Sequence, residues 1–582
     1  MLKLHSKIKN ISLWIYSIGI LSLVIHFGFK INDFIESGLM LIYITCLLVG
    51  IVSIPIHIFL KFKQLKPKVI AIDIAIWILL AVVLYGWGTN KVYGWYFYIF
   101  NEIIFIKILV AVLFIRQVAE SKLNLKNAYL NPAQIFIFSF LLIIFIGAGL
   151  LILPNSTYQG ISFIDALFTS TSAVCVTGLI VVDTGSFFTP TGQLIILVLI
   201  QTGGLGILTF ASYFSYFFTG GTSYKNQLAL SDITSSQKLG EVFSTLKNII
   251  IITVGIEFFA AVLIYFSVTK SIFGNNSERL FFAIFHSISA FCNAGFSTFT
   301  NGLYENSVKF NYALQLVIVF TFVFGGLGFP IVVNIIKYIK YKFMVIVALK
   351  KKQTVYKPWV LNLNSRLNLI TTLSITIISF CVFLLLEHNN TLTEHSFAGK
   401  IVGALFGATT PRTAGFNNIH MSALKFSTIM LVMLLMWIGA SPQSTGGGIK
   451  TSTFGIAILN ILSIAKGKTR IEIFRREIAE ISVKRAFAII TLSFFVIGLG
   501  IIFLTYTDGD KTLLQIAFEC FSAYSTVGLS LGITANLSIA GKFIIIVIMF
   551  IGRISMLSLV IAVFIKTKYK YYQYPKEEIT IN

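Results

Sequence analysis

Charge is scarce in this chain of 582 residues, and acidic charge most of all: 12% of the residues are charged, with 22 Asp plus Glu against 45 Lys plus Arg. A soluble domain carries about twice that share, so an ordinary globular surface is excluded. Histidine is rare too, and the seven present (His5, His26, His57, His286, His388, His395, His420) show no metal-ligand spacing. The five cysteines (Cys46, Cys175, Cys292, Cys381, Cys520) include no CxxC pair, which indicates neither a disulfide framework nor a zinc site. Lys468-Thr469 lacks the upstream glycine of a phosphate loop. An enzyme needs a nucleophile, metal ligands or paired carboxylates gathered in one place, and the sequence offers none, nor a nucleotide or other cofactor site. The net charge of +23 follows the loops between apolar segments, so it does not mark a nucleic-acid binder.

What is abundant is apolar: 56% of the residues are hydrophobic and 55 are Phe, the composition of an all-α polytopic membrane protein. The first apolar run follows Lys3, Lys7 and Lys9 as a signal peptide would, but no small-residue cleavage site follows, so it reads as an uncleaved first helix. Four spans near 12–30, 38–60, 69–87 and 97–117 make an N-terminal extension over 1–130. Further spans fall near 133–153, 190–217, 246–268, 310–337, 367–387, 424–464 (interrupted), 487–506 and 541–566, about twelve crossings on a ~20-residue criterion. The linkers that hold Lys337, Lys340, Lys342, Lys350, Lys351, Lys352 and Lys357, and Lys466, Lys468, Arg470, Arg475, Arg476, Lys484 and Arg485, are strongly basic. By the positive-inside rule they and both termini are cytoplasmic. Such linkers suit an acidic soluble partner or anionic lipid headgroups equally well.

One peptide recurs four times after the extension. Its copies are Ser172-Ala173-Val174-Cys175-Val176-Thr177-Gly178, Ser289-Ala290-Phe291-Cys292-Asn293-Ala294-Gly295, Thr409-Thr410-Pro411-Arg412-Thr413-Ala414-Gly415 and Ser522-Ala523-Tyr524-Ser525-Thr526-Val527-Gly528. The glycines stand about 117, 120 and 113 residues apart, the size of a membrane module rather than a solenoid repeat. A short apolar segment of about a dozen residues, such as 163–173 or 516–524, precedes each copy and is too short to cross a bilayer. Irregular backbone at membrane depth survives only where protein or water surrounds it, so four such segments converge on one aqueous path. The expected fold is therefore four parallel helix–half-helix–helix repeats (131–220, 240–340, 365–465 and 483–568, with a tail at 569–582) around a pseudo-fourfold pore. Its filter would comprise Val176, Thr177 and Gly178; Asn293, Ala294 and Gly295; Thr413, Ala414 and Gly415; and Thr526, Val527 and Gly528. Half-helices that aim their negative ends at these carbonyls favour a cation.

The helix after each filter carries a weak point: Gly203-Gly204-Leu205-Gly206, Gly325-Gly326-Leu327-Gly328, Gly439-Ala440-Ser441-Pro442 and Gly552-Arg553-Ile554-Ser555. Glycine at these levels permits bending. The third repeat goes furthest, because Ser441-Pro442-Gln443-Ser444-Thr445-Gly446-Gly447-Gly448 cannot remain regular helix and is expected to form an intramembrane loop that gates the pore. Arg553 lies mid-helix, where a charge is costly enough to demand carbonyl or carboxylate partners. Lys450 belongs to the gate or marks its cytoplasmic end. Asp165 is a helix cap or a binding residue, Asp183 lies in the outer mouth or in a solvated loop, and Glu257 is expected in structural pairing.

Thr169 to Gly185, Gln201 to Gly206, Arg412 to Asn417 and Ile438 to Thr451 together resemble the Trk/Ktr/HKT superfamily of potassium transporters, above all the Ktr-type (TrkH-like) membrane subunit, over about residues 131–566. The resemblance implies K+ uptake through the cytoplasmic (inner) membrane, with K+ held at the filter residues. It assigns gating to the segment 441–448 and makes it the partner of Arg553. It also implies a homodimer seated on a cytosolic nucleotide-binding ring. Ser555 departs from the family, which usually has glycine there. Dependence on Na+ stays open, and a less selective Na+/K+ transporter of the same fold is the alternative.

Overall fold

In this computed structural model, residues 2–62, 67–88, 103–120, 132–206, 242–350, 360–554 and 560 are described. Outside them lie Ser555, Lys351, Lys352, Lys357, the start of the fourth expected span (97–102), the end of the expected 190–217 span, the end of the last one and the tail 569–582. The described residues form α-helices almost throughout. The first four are α1 (Leu2–Gly28), α2 (Asp33–Lys61), α3 (Pro67–Gly88) and α4 (Ile103–Glu120). Three-helix groups follow: α5 (Pro132–Leu151), α6 (Phe163–Val174) and α7 (Pro190–Leu205), then α8 (Val242–Ser267), α9 (Asn276–Cys292) and α10 (Tyr312–Leu327), which continues into α11 (Phe329–Lys350). The third group is α12 (Leu363–Glu387), α13 (Phe397–Thr409) and the pair α14 (Phe426–Trp437) and α15 (Thr451–Ala465), and the fourth is α16 (Glu480–Thr507), α17 (Leu513–Ser525) and α18 (Ile539–Ile554).

The middle helices of the groups, α6, α9, α13 and α17, have 12, 17, 13 and 13 residues. At 1.5 Å per residue they are about 18–26 Å long, short of a ~30 Å hydrocarbon core. Three of them start on a hydroxyl cap: Ser162 accepts from Asp165 N (3.1 Å), Ser396 from Gly399 N (3.2 Å) and Thr512 from Gln515 N (3.4 Å). Asp165 is therefore not the cap; its carboxylate receives Lys542 Nζ of α18 at 2.7 Å and ties the fourth group to the first. One core of buried side chains fills that same junction, with Phe168, Ile196, Ile516, Ile545 and Met549 among its members. Smaller cores join the second group to the third around Phe282, Phe322 and Phe406, and the third to the fourth around Phe383, Met436 and Phe518.

One element departs from the sequence expectation. The span expected over 310–337 is broken at Gly328, where α10 and α11 meet at a bend of 106°. Gly328 has φ +83°, and the position of its absent Cβ is 2.6 Å from the Pro442 carbonyl oxygen, so the bend sits directly against the loop and a side chain there would not fit. Parts of the expected spans 97–117, 190–217 and 541–566 lie outside the described residues. Among the described residues, six helices are long and apolar enough to cross a membrane alone, and seven if the bent pair counts as one.

The N-terminal helices α1–α4 share a separate core that includes Tyr16, Tyr43, Leu47, Ile54, Leu80, Val110 and Leu113. Beside it, Arg116 of α4 grips Asp73 of α3 in a forked pair (2.7 and 2.9 Å) and reaches His57 Nδ1 of α2 at 3.0 Å, all three buried. A bidentate guanidinium–carboxylate pair is the strongest geometry available to such charges. Breaking a buried pair from one side costs about 3–5 kcal/mol. Asp73→Ala is thus expected to loosen α1–α4 selectively, seen as faster amide exchange in these helices with the later groups unchanged. Unaltered exchange in α2–α4 would show that the pair does not hold the bundle.

Candidate functional site

Each short helix hands the chain to a peptide of one backbone shape. Two residues before each glycine, φ is positive at Val176 (+58°), Asn293 (+60°), Thr413 (+73°) and Thr526 (+51°), and it is positive again at Gly178 (+90°), Gly295 (+70°), Gly415 (+76°) and Gly528 (+92°). Three of the four non-glycine positions are β-branched, the side chains least at ease in the left-handed region. Backbone held this way four times over is strain of the kind stored at working sites.

The four peptides close on one another in a circle. A Cβ on Gly178 would overlap the carbonyl oxygen of Ala294, one on Gly415 that of Val527 and one on Gly528 that of Thr177; on Gly295 it would lie 3.1 Å from Ala414 O. The contacts run from the first group to the second, third and fourth and back to the first, always onto the residue just before the neighbour's glycine. Four carbonyls, of Thr177, Ala294, Ala414 and Val527, and four glycines thus form one ring, and no member carries a charged side chain. Asn293 and Thr413 join two of the peptides through an amide–hydroxyl bond of 2.9 Å; the Asn293 amide is satisfied at both ends with its oxygen on Thr413 and its nitrogen on Ala290 O and Phe322 O.

Sequence reasoning passed over the hydroxyls that tether this ring. Ser172 and Ser522 accept from the N–H of Gly178 (3.0 Å) and Gly528 (3.1 Å), whereas Ser289 and Thr410 donate to the carbonyls of Phe296 (2.8 Å) and Phe416 (2.6 Å). The signal was present in three copies, which a serine opens, whereas the third opens on Thr409 and tethers through its second residue, Thr410. The glycines of the following helices also have a role other than bending. Cβ atoms on Gly203, Gly325 and Gly552 would overlap the carbonyl oxygens of Val174, Phe291 and Tyr524, so they admit the last turn of the short helix against the next one.

The segment 438–450 runs between α14 and α15 as a loop and touches the second, third and fourth groups. Ser441 N donates to Gly326 O (2.9 Å), and Phe329 N donates to Gln443 O (3.3 Å). Ser441 Oγ meets Thr451 Oγ1 (3.1 Å), Ser444 Oγ donates to Ser441 O (2.6 Å) and Thr445 Oγ1 to Phe291 O (3.2 Å). Gly447 N donates to Thr526 Oγ1 at 2.9 Å, and side chains on Gly446 or Gly447 would overlap Thr413 or Thr526. The loop therefore lies directly against the ring. Gly448, at φ +66°, packs on Gly439 and Ser525. Lys450 turns its Nζ back onto Gly446 O (2.6 Å) and Gly447 O (3.3 Å), and Arg553 donates to the Thr445 carbonyl and to Gly203 O (2.5 Å). Three backbone oxygens of the loop are thus held by two cations.

The acidic residues sit outside the ring. Glu257 receives Gln201 Nε2 of α7 at 3.2 Å, linking the first and second groups. Asp183 accepts from the N–H of Gly185 (2.7 Å) and Ser186 (3.0 Å) in a turn. Glu387 receives Thr428 Oγ1 (2.5 Å), Lys425 N (3.1 Å) and Asn390 Nδ2 (2.8 Å). Glu519, which sequence reasoning did not single out, is fully buried in α17 and accepts from Ser530 and Thr534. Among the described residues no group of three His, Cys, Asp or Glu could hold a metal ion.

The sequence profile of the TrkH family, described as a cation transport protein, matches residues 96–573, so its match takes in α4 but leaves α1–α3 outside. The chain is 38% identical over 451 residues to the Ktr system potassium uptake protein B of Bacillus subtilis, covering 77% of this chain and 96% of that protein. It is 34% identical over 460 residues to the potassium/sodium uptake protein NtpJ of Enterococcus hirae, covering 78% and 97%. In fold it is similar to the crystal structure of the potassium transporter TrkH from Vibrio parahaemolyticus, with TM-score 0.58 at 16% identity over 90% of this chain and 97% of the other.

Proposed function

The chain belongs to the TrkH family of cation transport proteins, and from that premise we propose that it takes up potassium across the cytoplasmic membrane through the ring of Thr177, Ala294, Ala414 and Val527 carbonyls. The single observation that carries this reading is the closed fourfold contact between each glycine and its neighbour's carbonyl. Neutral backbone oxygens replace the hydration shell of a large monovalent cation without binding it too tightly to leave. The C-terminal ends of α6, α9, α13 and α17 lead into the ring and add negative potential there. The segments 131–220, 240–340, 365–465 and 483–568 are the four pore units of this reading, 1–130 is an accessory extension, and the filter is the twelve residues from Val176 to Gly528 named above.

The loop Ser441–Gly448, with Lys450 and Arg553, is the gate in this reading, because it lies against the ring and its carbonyls are held by those cations. Similarity to proteins named as parts of a Ktr system supports a further partner subunit, and in this reading the chain is a homodimer seated on a cytosolic nucleotide-binding ring through the basic linker from Lys466 to Arg485. Both termini face the cytoplasm. A shared Na+/K+ path or Na+-dependent uptake has support in the similarity to a potassium/sodium uptake protein.

Rb+ uptake into proteoliposomes under a K+ gradient tests the function. Uptake without any organic solute, displaced by K+ well before Na+, is expected; a requirement for an organic co-substrate would reject it. Repeating the assay with and without Na+ separates the two cation readings.

A further inference from the structure

We infer that α11 is an amphipathic helix seated in the cytoplasmic lipid interface, with Ile336, Ile339, Phe343 and Ile346 among the acyl chains and Lys337, Lys340 and Lys342 on anionic headgroups. The reading rests on the cytoplasmic placement of this linker proposed above and goes beyond it by assigning a partner to one helix.

The geometry starts at Gly328. The 106° bend turns α11 almost at right angles to α10, so if α10 runs along the membrane normal, α11 runs along the membrane plane. Its first turn is anchored, with Ile331 and Val332 buried, Phe329 N on Gln443 O (3.3 Å) and Asn334 Nδ2 on Ser365 Oγ (2.9 Å). Beyond that turn the helix has two distinct sides. Tyr338, Tyr341 and Val345 are half-buried against the protein. Ile336, Ile339, Phe343 and Ile346 recur at helical spacing on the opposite side and are 48–66% exposed.

An apolar stripe turned away from its own protein needs a cover, and the charges beside it name the kind. Lys340 and Lys342 flank the stripe on its two edges and Lys337 lies beyond Lys340, while α11 contains no acidic residue. An apolar stripe bordered by lysines is the pattern of a helix lying at an anionic membrane surface. Each such lysine is worth about fivefold in partition onto an anionic leaflet. The lipid surface is also continuous with the exposed apolar faces of the spanning helices beside it, such as Ile370, Leu373 and Ile377 of α12. Because Gly328 and Phe329 touch Pro442 and Gln443, the seating of α11 is transmitted directly to the intramembrane loop.

The test uses the full chain with Cys381, the exposed cysteine of the five, replaced by serine, and an environment-sensitive fluorophore on Ile339→Cys or Phe343→Cys. In vesicles of phosphatidylcholine with phosphatidylglycerol, emission is expected to be blue-shifted, quenched by doxyl-labelled lipid and protected from aqueous iodide. The combined variant Lys337→Gln, Lys340→Gln, Lys342→Gln is expected to lose several-fold of the doxyl quenching in these vesicles and little in pure phosphatidylcholine. Full iodide quenching of the parent would place the stripe in water and overturn the inference. Protection from both quenchers would overturn it too, by placing a second copy or another protein on that face. Neither readout depends on ion flux, so failure of the transport assay and failure of the lipid seating are distinguishable.

Discussion

Alanine at Gly415 is expected to abolish most of the preference for K+ over Na+, whereas alanine at Gly295 weakens it only slightly. Both glycines have positive φ, +76° and +70°, so either substitution carries about 1–2 kcal/mol of left-handed strain. The difference lies in what the new methyl meets. At position 415 it overlaps the Val527 carbonyl, a backbone group that has no rotamer to escape into; at 295 the Ala414 oxygen is 3.1 Å away and yields by a few tenths of an ångström. A further 1–3 kcal/mol of distortion at Gly415 gives a total of about 2–5 kcal/mol, or roughly one to four powers of ten in ion preference. Gly178 and Gly528, which overlap Ala294 O and Thr177 O, belong with Gly415. Competitive Rb+ uptake against Na+ in proteoliposomes measures the series. Equal effects at all four glycines would mean that the carbonyl contacts do not set selectivity.

Removing the Arg553 side chain is expected to raise basal K+ flux about ten- to hundredfold and leave selectivity intact. Arg553 donates to Thr445 O in the loop and to Gly203 O in α7, and the bond to the loop, being charge-assisted, contributes about 1.5–3 kcal/mol to the closed arrangement. Losing that bond shifts a closed–open equilibrium by that amount. Deletion of Gln443 to Gly446 is expected to raise flux more, since it removes both the Thr445 carbonyl and the Gly446 backbone that packs on Thr413. Lys450→Met should act less, because its bonds to Gly446 O and Gly447 O stay within the loop. Planar-bilayer or stopped-flow flux measurements without any cytosolic partner isolate this effect. Arg553→Ala with parental flux and altered selectivity would place Arg553 in the filter and not in the gate.

How much of this was legible in the sequence depends on how local the cause is. The four short helices were legible because an apolar segment of about a dozen residues ahead of each repeated peptide is a local signal. The loop at 438–450 was legible for the same reason, proline followed by three glycines leaving no helical alternative. A weak point at Gly325 to Gly328 was legible from its glycines, but the size of the bend and the packing of Gly328 on the Pro442 carbonyl, more than a hundred residues away, were not. The second-helix glycines were legible as weak points, but their use as landing places for Val174, Phe291 and Tyr524 carbonyls depends on packing that no spacing reveals. The same holds for Arg116 and Asp73, which lie on separate helices 43 positions apart with nothing local to mark them as partners.

The most direct measurement is the position of a heavy K+ analogue. Crystals or vitrified particles of the purified protein prepared in Tl+ or Rb+ should show an anomalous or difference peak on the axis of the ring, shared by the carbonyl oxygens of Thr177, Ala294, Ala414 and Val527. Its occupancy is expected to fall in Gly415→Ala and to persist in Arg553→Ala. A peak confined to side-chain carboxylates such as Glu257 or Glu519, with none at the ring, would contradict the account.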